Sequence, residues 1–281
     1  MDLKALLDTP PWEWPKGAGK LLAKTLRDKQ AKESDRLIAA ELAGELVAMN
    51  DDLADALLAA VGSADESEEL RATAAVGLGP VLEQADTELV ENDIFDDPES
   101  VPISFDTFRN IQDSLRKLYL DESNPKELRR RILEAAVRAP QDWHSSVISA
   151  AYSSGDKAWM LTAVFAMRAV RGFDDQILES LESADREIHY EAVNAAGAWD
   201  LDAAWPHVVA LVKTPSTPKA LLLAAIEAVG NIRPQEAGEI LGDLADSHDE
   251  EIAEAAVEAI AVAQARSGEA DDEEDEGEWI N

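Results

Sequence analysis

Leu70-Arg71-Ala72-Thr73-Ala74-Ala75-Val76-Gly77-Leu78-Gly79-Pro80-Val81 is a ladder of small and apolar positions opened by an arginine, and it recurs along the chain. With Arg71 as the anchor, the equivalent positions are Arg36, Arg71, Arg129, Met160, His189, Leu222 and Ala253, separated by 35, 58, 31, 29, 33 and 31 residues. A period near 30 to 35 residues marks stacked supersecondary units, each too small to bury its own apolar face. Each unit reads as a shorter helix A, a turn and a longer helix B carrying the ladder. In the sixth unit Ala225, Ile226, Ala228, Val229 and Ile232 share one helical face behind Thr217 and Pro218. In the seventh, Ile252, Ala256, Val257, Ala259 and Ile260 follow Asp249, Glu250 and Glu251, acids suited to a helix N-terminus. Alanine and glycine recur where neighbouring B helices must approach closely.

The ladder resembles the HEAT family, and its PBS-lyase-type repeats in particular. The likeness rests on Leu70-Arg71 with Ala74-Ala75 and Gly77-Leu78-Gly79, on Arg36 with Ala39-Ala40 and Leu42-Ala43-Gly44, and on Ile188 with Ala192-Val193 and Ala195-Ala196-Gly197. It spans about residues 13 to 265. The resemblance implies an all-α superhelix of about seven antiparallel helix pairs with the B helices lining a concave face. Beyond the second unit the anchor arginine persists only as Arg129, so polar ladders between repeats are expected to be missing from the C-terminal half.

One elongated solenoid domain over residues 1–265 is therefore expected. The irregular 58-residue spacing holds an acidic insertion at 83–105, read as a surface loop, and residues 266–281 read as a disordered acidic tail ending in Trp279-Ile280-Asn281. Trp12 and Trp14 are assigned to covering the open end of the first repeat, and Trp143, Trp159, Trp199 and Trp205 to the core.

Lys plus Arg total 25 against 58 Asp plus Glu, a formal charge of −33. A field of this sign disfavours nucleic acid, whose binding depends on basic side chains neutralising phosphates; a saline habitat is a second account of such acidity. There is no cysteine, which removes disulfides, thiolate nucleophiles and cysteine-ligated zinc. The N-terminus lacks the pattern of a secretory signal and no window is apolar enough to cross a bilayer. A cytoplasmic, monomeric protein with no membrane association is expected.

Charge is distributed unevenly. Residues 1–50 are neutral (8 basic against 8 acidic), 51–105 carry −14 (1 against 15), 106–172 carry +3 (11 against 8) and 173–281 carry −22 (5 against 27). On the B helices, the positions one, two, five and nine after the anchor are expected to face away from the core. In repeats three to five these include Arg130, Arg131, Arg138, Phe165, Tyr190 and Asn194. Arginine beside aromatics is a composition enriched at the energetic centres of protein interfaces. This strip is therefore the candidate site for a protein partner with an acidic or amphipathic segment, with Trp279 and Ile280 as a second motif presented by the tail.

Catalytic chemistry is thinly supplied. The four histidines, His144, His189, His207 and His248, lie in different repeats without metal-ligand spacing. There is no phosphate-binding glycine loop followed by Lys-Ser/Thr and no Gly-x-Ser-x-Gly elbow. The expectation is a non-catalytic binding scaffold without metal or cofactor. Two other readings stand beside it. PBS-lyase-type repeats occur in enzymes that attach bilins, and the acidic surface suits a nucleic-acid mimic.

Overall fold

The computed structural model describes residues 2–92 and 101–277, which contain helices and no strand. The helices fall into two compact units, residues 1–144 and 145–281. In a repeat array each helix pair packs only on its neighbours, so there is no common centre to hold all the repeats in one cluster.

The first unit contains α1 (Leu3–Leu7), α2 (Ala18–Arg27), α3 (Glu33–Leu42), α4 (Asp51–Gly62), α5 (Glu68–Gly77), α6 (Gly79–Asn92), α7 (Phe105–Leu120) and α8 (Lys126–Ala136). From α9 (Trp143–Tyr152) the chain continues through α10 (Lys157–Met167), α11 (Asp174–Leu181), α12 (Arg186–Ala198), α13 (Trp205–Lys213), α14 (Lys219–Ile232), α15 (Pro234–Ala245) and α16 (Glu250–Gly277). The seven anchors fall on α3, α5, α8, α10, α12, α14 and α16, which are the B helices of the sequence ladder. In the first unit α3 packs on α5 and α5 on α8; in the second α10 packs on α12, α12 on α14 and α14 on α16.

The small residues eight positions after the anchor permit this stacking. A Cβ on Gly197 would lie 3.0 Å from both Cα and Cβ of Ala228, and one on Gly230 would lie 3.0 Å from the carbonyl oxygen of Ala259. Around these contacts Ala192, Val193, Ala196, Ala225, Val229 and Ala256 are fully buried. Any longer side chain at this seam would open the gap between α12 and α14 or between α14 and α16, with loss of dispersion contacts along the interface.

The anchor arginines perform a second task. Arg36 Nε donates to the carbonyl of Leu26 at 3.1 Å, Arg71 Nε to Val61 at 2.9 Å and Arg129 Nε to Tyr119 at 2.8 Å. Each acceptor is the penultimate residue of the preceding A helix, a carbonyl that the helix itself leaves without a partner. Arg36 then pairs with Glu66 at 2.6 Å and Arg71 Nη2 donates to Asn124 at 2.7 Å, both in the A–B turn of the next repeat. The Arg36 hydrogen bond holds the Glu66 carboxyl below the usual carboxylate range.

The C-terminal half was expected to lack such ladders. It has them, built from a different position. Lys157 pairs with Asp185, which caps α12, and Lys219 pairs with Asp249 at 2.8 Å and Glu251 at 2.6 Å at the start of α16. Both lysines stand three residues before their anchors, one helical turn earlier, where an ammonium reaches the N-terminus of the next B helix.

Two segments differ from expectation. Residues 83–92, read as loop, continue α6, because Val81, Leu82 and Ala85 share a buried face and Glu83 pairs with Arg138 near α8. Residues 93–100 of that insertion lie outside the described residues, whereas Val101 and Ile103 are buried. Residues 266–277, expected to be disordered, extend α16 past Ala263, its last buried residue among those whose burial is described; adding residues to an existing helix needs no new nucleus. Trp279 and Ile280 lie outside the described residues. Trp12 covers no core and is 78% exposed; it is Trp14 whose indole ties the N-terminal turn together, donating to the carbonyls of Leu6 and Thr9.

His144 is fully buried beside Trp143. Its Nδ1 accepts from the Gln141 N–H at 2.9 Å, and its Nε2 has no hydrogen-bond partner among the described residues. Burial pushes this imidazole from 6.5 down to about 4. The unfolded chain therefore binds the extra proton first, and folding stability declines as pH falls from 6.5 to about 4. The decline should reach about 3 kcal/mol and be reduced in His144→Asn, whose amide oxygen keeps the bond from Gln141; urea titrations at several pH values measure it. At the helix seam, Gly197→Leu should lower stability by roughly 1–3 kcal/mol, read from the denaturant midpoint.

Candidate functional site

The rule that positions one, two, five and nine after the anchor face away from the core finds its clearest match in the second unit. There α12, α14 and α16 line an open groove of about 660 Å³. After the anchor His189, Tyr190 and Asn194 line it; after Leu222, Leu223, Ala224, Glu227 and Asn231 do so. After Ala253 the lining residues are Glu254, Ala255, Glu258 and Val262. The seams between helices bring Gly230 and Ala259 to the floor, so the absence of long side chains there gives the groove its depth.

The groove has an apolar floor and acidic walls. Val262 is 46% exposed and Tyr190 37% exposed, both large for surface residues of a well-packed helix layer. Glu227, Glu251, Glu254 and Glu258 project around them, and no lysine or arginine lines the groove. Glu251 is paired with Lys219. The other three have no ion-pair partner among the described residues. Asn194 Nδ2 donates back to the Tyr190 carbonyl at 3.1 Å, which leaves its side-chain oxygen as an acceptor.

The basic strip expected across repeats three to five is arranged differently. Arg130 is buried at 6% exposure and held by Glu127 at 2.6 Å and Glu134 at 3.7 Å. Arg131 is half-buried and grips the same two carboxylates at 2.8 and 2.7 Å. Glu127 is held below its ordinary value by these two arginines, against the opposing effect of its burial. Arg138 pairs with Glu83. Each of the three guanidiniums thus has a carboxylate partner in the first unit, and the helix brings Glu127 and Glu134 within one turn of Arg130 and Arg131. Phe165 is half-buried on α10 beneath Arg168, whose guanidinium lies 4.9 Å from the ring centre. Of the six strip residues only Tyr190 and Asn194 come together at the groove.

Leu223, Glu227, Glu254, Glu258 and Val262 were passed over in the sequence. The signal for them was present, since the same anchor register continued into repeats six and seven selects them all. Ion pairing within a helix is not visible as a loss of free charge in a local count, so the pairing of Arg130 and Arg131 with Glu127 and Glu134 is not legible in the sequence.

Among the described residues no group of three or more His, Asp or Glu is arranged to hold a metal ion. Two histidines from different repeats do meet: His189 Nε2 and His207 Nε2 are 2.8 Å apart, and His207 Nδ1 lies 3.5 Å from Glu182. One ring must be neutral to accept the bond. Burial and the neighbouring His207 both hold His189 below the usual imidazole range. The pair ties α12 to the following A helix, a contact between repeats that their separation in sequence concealed.

Reversing a buried, doubly paired guanidinium differs from removing a surface charge. Arg130→Glu should cost about 3–5 kcal/mol of folding stability, since it sets a third carboxylate against Glu127 and Glu134. Chemical denaturation of the variant beside the half-exposed Arg131→Gln, which should lose far less, measures the difference.

Residues 175–261 match HEAT repeats, a class wider than the PBS-lyase-type subset. The sequence matches none of the curated proteins. Among solved structures the chain is similar to human deoxyhypusine hydroxylase in complex with glycerol, at 15% identity over 93% of this chain and 88% of that one, with a TM-score of 0.41. It is also similar to YibA of Escherichia coli, at 16% identity over 89% of this chain and 84% of that one, with a TM-score of 0.43. The helix-pair ladder repeated seven times and the family match over its last repeats make residues 175–261 a run of HEAT repeats.

Proposed function

We propose that the chain is a non-catalytic scaffold that binds a protein partner along the outward register of its B helices, with the groove of α12, α14 and α16 as the contact surface. The observation that carries this reading is the groove itself. Three consecutive repeats contribute residues at the same register to one open, apolar-floored depression. At those positions Val262 is 46% exposed and Leu223 is half-buried, so apolar surface is presented to the groove beyond what the packing of the repeats covers. Concave faces of repeat arrays are used for extended partners, and interface centres combine apolar anchors with a polar rim.

The reading departs from the basic strip in its location and keeps its principle. Tyr190 and Asn194 remain in the contact surface, while Arg130, Arg131 and Arg138 become structural. No helix among the described residues is long and apolar enough to cross a membrane, and the partner is taken to be a protein rather than a lipid surface.

The test is affinity capture from native extract with the full chain, with Leu223→Ser/Val262→Ser, and with the remote control Glu68→Gln/Glu69→Gln. A specific partner retained by the full chain and the control should fall by about tenfold or more with the groove variant, in keeping with the loss of a central apolar anchor. Equal retention by all three would overturn the reading. Broad retention of basic proteins that vanishes equally in salt would favour the nucleic-acid mimic instead.

A further inference from the structure

We infer that the partner segment seated in the groove of α12, α14 and α16 is a basic amphipathic peptide, with lysine or arginine flanking an apolar anchor. This inference rests on the scaffold reading and adds the chemistry of the occupant. Three features of the groove support it.

The first is charge. Glu227, Glu254 and Glu258 stand on the walls with no ion-pair partner among the described residues. Several carboxylates of the second unit away from the groove have cationic partners: Asp185 has Lys157, Asp202 and Glu236 have Arg233, and Asp200 has Arg266. The groove thus concentrates unmatched negative charge around an apolar floor, where a cation gains more than it would on a flat, fully wet surface.

The second is the aromatic side chain at the groove. Phe165, Trp199 and Trp205 each carry an arginine over the ring, Arg168 at 4.9 Å, Arg171 at 4.3 Å and Arg233 at 5.1 Å. Tyr190 is the exposed aromatic at the groove and carries no cation among the described residues. Its face is open to a guanidinium or ammonium from outside, the kind of partner those three aromatic rings already hold.

The third is the spacing of the walls. Glu251, Glu254 and Glu258 are separated by three and four residues on one face of α16, with Val262 one turn further. A helical segment laid along this stripe repeats its own side chains at the same intervals, so alternating basic and apolar positions meet carboxylate and apolar floor in register. An acidic segment would instead place like charges together without any lysine or arginine in the lining to receive them.

The experiment uses the full chain and a fluorescent synthetic peptide bearing lysine and leucine at helical spacing, read by anisotropy. A scrambled peptide of identical composition and free spermidine serve as comparison ligands. The full chain should bind the patterned peptide several-fold more tightly than the scrambled one. Glu227→Gln/Glu258→Gln, two exposed isosteric changes, should weaken it by about tenfold, whereas Glu68→Gln/Glu69→Gln in the first unit should leave it unchanged. Tyr190→Leu should weaken it by a few-fold with little loss of apolar area. Equal weakening by both glutamine pairs would assign the binding to the overall charge and overturn the inference, as would equal affinity for the scrambled peptide. Full displacement by spermidine at the affinity of the peptide would also overturn it, in favour of a small polycation. A captured partner that loses binding with Leu223→Ser/Val262→Ser but not with Glu227→Gln/Glu258→Gln would sink the basic-peptide inference alone and leave the scaffold reading intact.

Discussion

The close approach of consecutive B helices is the constraint on which the rest depends. Where Gly197 faces Ala228 and Gly230 faces the carbonyl of Ala259, the backbones approach to distances that no larger side chain permits. That seam fixes the spacing of α12, α14 and α16, and the spacing decides which side chains are buried and which line the groove. Alanine serves the fold here through its small size as much as through helix propensity. The core gains area from many small contacts along the seam, so its stability is spread along the array instead of being centred in one place.

Polar contacts between repeats follow a similar economy of means. In the first unit one arginine closes the end of its own A helix and extends to the turn of the next repeat, as Arg36 does through Leu26 and Glu66. In the second unit the role is divided. Lys157 and Lys219 reach the next B-helix start from a turn before the anchor, and the His189–His207 pair links a B helix to the A helix that follows. Different residues satisfy the same geometric need, because the end of one helix pair and the start of the next always leave backbone groups and charges in need of partners.

Charge acquires meaning only when sorted in this way. The basic island of residues 106–172 looked like a surface able to attract an acidic partner, yet Arg130 and Arg131 are occupied by Glu127 and Glu134, and Arg138 by Glu83. The acidic excess of residues 173–281 looked like undirected solvation. Part of it is instead collected around Leu223 and Val262, where apolar floor and carboxylate walls coincide. Net charge per segment measured the field and not the availability of its sources.

The amino-acid sequence by itself determined the number of repeats, the identity of the B helices and the register of their outward faces, because a period near 30 residues and the 3.6-residue helical period are both one-dimensional signals. It also showed where small residues must lie, since close packing excludes side chains at fixed intervals. Only the tertiary structure decided which outward residues are free. Arg130 and Tyr190 occupy the same register position, one residue after an anchor, but Arg130 is buried between glutamates whereas Tyr190 stands at the edge of a groove. The same holds for α6, whose apolar face is apparent only beside α8, and for His189 and His207, which meet across a repeat boundary. Periodicity tells which way a side chain points; burial and pairing depend on what the neighbouring repeat places opposite it, and that is a property of the packed array.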